Sequence, residues 1–218
     1  MEVWNPYKFT DAGEVVTVLV LLMLVAVLAG TMLTPCQHRR RMVFLPLLLF
    51  WVFTILSATY FGRMETESGG LKLELFWTIR KAWAEHQGLY WYYIIGNILL
   101  FVPFGFLLPL IAKQMESVWI VTLIGAGMSL GIELFQYLTG TGLCELDDLF
   151  HNTLGTFSGY QLFVVMNGTV GLPYIKKSEV GMYEKRNLIL SLSYIIVICL
   201  LVGGLLYLNK PDWTGIFY

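Results

Sequence analysis

The sequence predicts an all-α, polytopic membrane helix bundle of about six transmembrane helices, with one further amphipathic helix in the outer interface. Three observations predict it. Apolar residues make up 57% of the chain and charged residues only 13%, a balance far from that of an ordinary soluble domain. Six stretches are each apolar over the roughly 20 residues that a helix needs to cross a hydrocarbon core. The connections between them are too short for a soluble domain, so residues 1–218 read as a single integral membrane domain. A net charge of -1 offers no basic surface for nucleic acid.

The first span, Val15 to Thr34, is preceded by Glu2, Asp11 and Glu14 where a signal peptide carries basic residues, and is expected to remain as an uncleaved helix. The second is Met42 to Gly62. The loop after it contains LKLELFWTIRKAWAEH, in which Leu75, Phe76, Ile79, Ala82 and Trp83 recur at helical spacing while Lys72, Glu74, Arg80, Lys81 and Glu85 take the other side. That pattern suits a helix lying in the outer interface or packed on the rim of the bundle. The third span, Leu89 to Ala112, opens on Tyr90, Trp91, Tyr92 and Tyr93, an interfacial aromatic belt. Pro103 with Gly105 is expected to break or kink it near the middle. Val118 to Leu138, Leu149 to Leu172 and Leu188 to Leu208 complete the set. All must be helical, because lipid offers the backbone no other hydrogen-bond partner. No internal repeat is present, which argues against a transporter of two inverted halves.

Arg39, Arg40 and Arg41, then Lys113, then Lys176, Lys177, Lys185 and Arg186 fall in alternate loops, which places those loops on the cytoplasmic side. The chain is thus a multi-pass protein of the cytoplasmic membrane with both termini outside. Glu65, Glu67, Glu74, Glu85, Glu145, Asp147 and Asp148 fall on the outer side, where Arg63, Lys72, Arg80 and Lys81 reduce the asymmetry. Cys36, Cys144 and Cys199 fall at different depths, so no disulfide is expected.

Chemistry concentrates between the third and fifth spans. A carboxylate within a span is costly unless it faces protein or water, which singles out Glu133. At 100° per residue, Ser129, Glu133, Gln136 and Gly140 share one side of their helix, while Gly127 and Gly131 form a GxxxG spacing opposite, the signature of close helix packing. On the next helix Asp148, Asn152, Gly155 and Gly159 share a face with His151 at its margin, and the two glycines would let a neighbour approach Asn152. Asp147 or Asp148 also suits an N-cap. Asn97 adds an amide about a turn below the aromatic belt.

Asn97, Glu133, Gln136, Glu145, Asp148 and Asn152 are therefore the candidate ligand-binding residues. Glu133, Asp148 and His151 are the candidates if chemistry is performed, since burial tunes such groups for acid/base work. Asp147, Asp148 and His151 are the candidate metal ligands. Together with Glu133 and Glu145 they form an oxygen-rich set suited to Mg²⁺ or Ca²⁺ rather than zinc. Their spacing matches no recognised metal motif, so no resident cofactor is expected. No nucleophilic triad or phosphate-cradling glycine loop is present.

The segments NILLFVPFGFLLPL and IELFQYLTGTGLCELDDLFHNTLGTFSG resemble the VanZ family of bacterial integral membrane proteins. The family pattern is an Asn-led helix with Phe-x-Pro-x-Gly, a Glu-x-x-Gln, and a polar acidic loop before Asn-x-x-Gly-x-x-x-Gly. Its counterparts here are Asn97, Phe101, Pro103 and Gly105; Glu133 and Gln136; Glu145 and Asp148; and Asn152, Gly155 and Gly159. The motifs run from about Asn97 to Tyr160, in a family-like core of about 89–172. One departure stands out: Gly142 occupies the place of a common family Arg, and Glu145 that of an Asp. The Arg's role is absent here or taken by Arg63, Arg80 or Lys81.

The resemblance implies low-level resistance to teicoplanin and related lipoglycopeptides in Gram-positive bacteria, without an agreed biochemical activity. The preferred mechanism is binding of a cell-envelope lipid or lipid-linked cell-wall precursor in an outward-facing polar pocket. The alternatives are an enzyme that modifies an envelope lipid through Glu133, Asp148 and His151, and a carrier of lipids or small molecules.

Overall fold

A computed structural model describes residues 39–61, 70–111, 115–140, 142–169 and 182–210. In chain order the elements are α1 (Arg39–Phe61), β1 (Leu71–Lys72), α2 (Trp77–Glu85), α3 (Gly88–Ile111), α4 (Val118–Thr139), β2 (Cys144–Glu145), α5 (Leu146–Thr169) and α6 (Met182–Asn209). The expected span Val15 to Thr34 lies outside the described residues, as do Cys36, Arg63, Glu65, Glu67, Lys113, Lys176 and Lys177.

Among the described residues, three helical segments are long and apolar enough to cross a membrane: Gly88–Ile111, Val118–Thr139 and Leu192–Asn209. Val43–Thr59 in α1 is a shorter apolar helix. Of the six expected spans, Val15 to Thr34 falls outside the described residues, and the other five overlap α1, α3, α4, α5 and α6. α5 is not among the three long apolar segments because its first two turns carry Asp147, Asp148, His151 and Asn152, all buried. A helix walled in by α3, α4 and α6 can hold such residues because they face protein rather than hydrocarbon.

The helix expected over the outer-loop segment is real but shorter. Leu71–Lys72 is extended and pairs in parallel with Cys144–Glu145, with Leu71 opposite Cys144 and Lys72 opposite Glu145. Phe76 then adopts a left-handed backbone, φ 63°, which an L-residue cannot propagate. The helix therefore starts only at Trp77.

α3 and α5 share the most extensive contact in the molecule, and glycine makes it possible. A Cβ at Gly155 would collide with the Ile98 carbonyl, one at Gly159 with the Val102 carbonyl, and one at Gly105 with the Thr156 backbone. Gly125 likewise gives α4 room for the Thr156 side chain. The GxxxG pair turns out otherwise. A Cβ at Gly127 or Gly131 would meet nothing within 4 Å among the described residues, so the close-packing stripe of α4 runs through Gly125. Among the described residues the face opposite Glu133 is an open one.

α3 runs unbroken through Pro103 and Pro109, so of the expected break or kink the break does not occur. Proline withdraws an N–H and displaces the carbonyls one turn back, and α1 supplies a donor there: Trp51 Nε1 donates to the Leu100 carbonyl at 2.7 Å. The apolar core below joins Ile55, Phe101, Phe104, Leu108, Val121 and Ile132 from α1, α3 and α4. At the other end, Asn209 closes α6 onto the α2–α3 corner. It is 2% exposed, accepts from Trp91 Nε1 at 2.8 Å and donates to the Trp83 carbonyl at 3.1 Å.

Candidate functional site

α4 and α5 run in opposite directions, so the start of α5 lies beside the end of α4 and their polar stripes meet. Ser129, Glu133 and Gln136 on α4 are buried, as are Asp148, His151 and Asn152 on α5. Glu133, 2% exposed, accepts the Glu145 backbone N–H at 2.8 Å. Asn152 Nδ2 donates to Ser129 Oγ at 2.9 Å, one turn deeper. Asn97 on α3 donates from Nδ2 to Asp148 Oδ1 at 2.8 Å. Gln136 Nε2 reaches α1 and donates to the Thr59 carbonyl at 3.0 Å. The candidate residues Asn97, Glu133, Gln136, Glu145, Asp148 and Asn152 are thus drawn into one seam bounded by α1, α3, α4 and α5.

Its hydrogen bonding is unbalanced. Gln136 Oε1 and Asn152 Oδ1 are buried acceptors with no donor among the described residues. Leaving such an atom unmet costs about 1–3 kcal/mol. The Nε2 of His151 is also buried and unpartnered.

Asp147 has a different task from either role expected of it. It is fully buried, and its carboxylate accepts the backbone N–H of Phe76 and, at 2.8 Å, that of Thr78. It caps α2 from another helix, since the residue at α2's own N-cap supplies no side-chain bond. A Phe76–Phe150 edge contact and a Cys144 N–H bond to the Gly70 carbonyl at 2.9 Å fasten the same strap. With Asp147 on α2 and Asp148 on Asn97, the metal-ligand candidates diverge. Among the described residues no three His, Cys, Asp or Glu side chains gather as a metal-holding group.

Cys144 sits in the bridge between Glu133 and the strap. Burial pushes its thiol pKa up, and the Glu133 and Glu145 carboxylates push it further. Gly142, in the position of the expected Arg, is buried. Arg80 pairs with Glu74 at 3.0 Å, and Lys81 meets Glu85 in a looser, partly exposed pair at 3.6 Å. Arg63 lies outside the described residues.

Three participants escape a reading of the sequence. Asn209 reads as the polar end of an apolar helix, the Thr59 contribution is a carbonyl with no signature, and the distant helix that Asp147 caps leaves no trace in spacing. Thr156, fully buried, is a fourth, legible only as the counterpart of Gly105 and Gly125.

A family model described as VanZ/LLP1 matches residues 42–167, more than half of the chain. The chain belongs to the VanZ/LLP1 family. Protein VanZ of Enterococcus faecium is 30% identical over 78 residues, which are 34% of this chain and 45% of that protein. The chain therefore spans less than half the length of that relative. No solved structure matches. The VanZ/LLP1 match takes in every residue of the seam. It also reaches back to α1, which contributes the Thr59 carbonyl and the Trp51 indole.

Proposed function

We propose that this VanZ/LLP1 protein binds the headgroup of a cell-envelope lipid or lipid-linked cell-wall precursor in the seam between α3, α4 and α5, and thereby lowers access of teicoplanin-type lipoglycopeptides to their surface target. The observation that carries this reading is the pair of buried acceptors, Gln136 Oε1 and Asn152 Oδ1, without donors among the described residues. Beside them stand the Glu133 and Asp148 carboxylates. An acceptor-rich recess calls for a donor-rich ligand, one bearing hydroxyl or ammonium groups. Sugar and amine headgroups supply both. The seam belongs to the outer leaflet of the cytoplasmic membrane in this reading, because the Lys and Arg residues of the alternate loops favour the opposite side as cytoplasmic.

The test is mass spectrometry of the lipids that co-purify with the wild type, Glu133→Gln and Asn152→Leu, paired with teicoplanin susceptibility of cells expressing each. A lipid retained by the wild type and lost from both variants, with susceptibility raised several-fold, is expected. Folded, membrane-inserted variants that keep both the lipid and the wild-type susceptibility would sink the proposal. Conversion of the bound lipid to a product, lost in Asp148→Asn and His151→Gln, would replace it with a catalytic role.

A further inference from the structure

We propose that Lys72, Trp77, Lys81 and Tyr90 form a docking site for the phosphate of an anionic phospholipid, built from α2 and its approach rather than from the seam. The Lys72 ammonium lies over the Trp77 ring. The Lys81 ammonium is 5.4 Å from the centroid of that same ring and 5.0 Å from that of Tyr90. Each contact attracts a cation to an aromatic face, yet the two ammoniums on one indole repel each other. An anion between them turns that repulsion into attraction on both sides.

Among the described residues the local partners do not supply that anion. No carboxylate of the described residues pairs with Lys72, and Lys81 meets Glu85 only in a long, half-exposed pair at 3.6 Å, a geometry worth little. The Trp77 Nε1–H is buried and has no acceptor among the described residues, although an indole can only donate. Two cations and an unmet N–H donor around one ring fit a phosphate, which offers negative charge and acceptor oxygens together.

The surroundings identify the phosphate as a lipid's. Leu71 is 54%, Leu73 65% and Trp83 43% exposed on this short segment. The membrane-crossing α3 begins at Gly88, just past α2, so the segment lies at the rim of that span, with exposed Tyr92 and Tyr93 in the belt below. Exposed apolar side chains beside lysines are the make-up of an interfacial element, with acyl chains taking the leucines and headgroups the cations. The site stands on residues that the seam does not use, and it holds or fails apart from it.

Photo-crosslinking of the full-length protein in nanodiscs of equal phosphatidylglycerol and phosphatidylcholine tests this, with a diazirine on one lipid or the other and adducts mapped by peptide. The wild type is expected to concentrate phosphatidylglycerol adducts on residues 71–93 over phosphatidylcholine adducts. That preference falls about fivefold per removed charge in Lys72→Gln/Lys81→Gln, survives in Lys72→Arg/Lys81→Arg, and is unchanged in Glu133→Gln. Equal labelling by the two lipids, an unchanged preference in the double Gln variant, or loss in Glu133→Gln instead would each overturn the proposal. So would displacement of the lipid by millimolar inorganic phosphate, which would make the site one for soluble anions.

Discussion

At Glu133 a carboxylate is buried because a backbone N–H meets it, that of Glu145 twelve residues on. Glu133→Gln keeps an acceptor there and is expected to fold. Glu133→Ala strands the N–H and should cost roughly 1–3 kcal/mol, read as a lower thermal midpoint in detergent than that of the Gln variant. Cys144 reports on the same spot. With its thiol pKa raised by burial and by Glu133 and Glu145, less thiolate is present at a given pH, so its alkylation should rise with pH only at more alkaline values than for an exposed thiol. Glu145→Gln should move the curve back toward lower pH, and peptide-resolved maleimide labelling would detect an absence of that movement. Asn97, Glu133 and Asn152 were legible in the sequence because an amide or carboxylate in an apolar run has few cheap explanations. Ser129 drew notice only as a neighbour of Glu133, since a hydroxyl can satisfy itself on its own helix, as Thr153 and Ser158 do on the carbonyls four residues back. Asp147 was legible as polar but not as a cap for α2, because the spacing of one helix says nothing about another's first turn.

At the scale of elements, glycines that look alike in sequence differ in what faces them. Gly159→Ala must push α3 away from α5, since its Cβ would strike the Val102 carbonyl. Overpacking of that kind costs about 1–3 kcal/mol. Gly127→Ala meets open space and is expected to leave stability unchanged or raise it by up to about 1 kcal/mol, the helix-propensity gain. Equal thermal shifts for the two would contradict this packing. The GxxxG spacing specifies a small surface without naming the helix that uses it, and no described residue does, whereas the Gly155 and Gly159 pair carried a polar neighbour that marked its face as inward. The outer helix shows the complementary limit. Its apolar period ran from Leu75, but the left-handed Phe76 delays the helix to Trp77, and the strand bridge holds Leu71 and Lys72 before it. Asp147→Ala, which removes both acceptors from that helix start, should cost α2 about 1 kcal/mol and speed amide exchange over residues 77–85 while sparing α3.

For the molecule as a whole, composition made membrane helices legible. The number of helices that touch lipid was less so, because α5 earns its place by being enclosed rather than by being apolar. Enclosure depends on the fold, and single-span hydropathy cannot register it. Orientation is open to a direct check with native cysteines. If the Lys and Arg distribution governs insertion, an impermeant maleimide added to intact cells at alkaline pH labels Cys144 and spares Cys36, while permeabilised cells yield both. The reverse pattern would turn the seam toward the cytoplasm and remove it from contact with an extracellular antibiotic.

The bond from the Phe76 N–H to Asp147 spans 71 residues of chain, and it bears on how the protein is made. During synthesis at about 5–20 residues per second, α2 emerges several seconds before its cap exists. With nine residues it is too short to hold a helical form alone in water. The strap therefore has to wait until α4 has inserted and the chain has turned back into α5. Completion of that turn becomes the event that shuts the top of the bundle, so a chain halted before Asp147 would leave this surface unfinished and open to quality-control proteases.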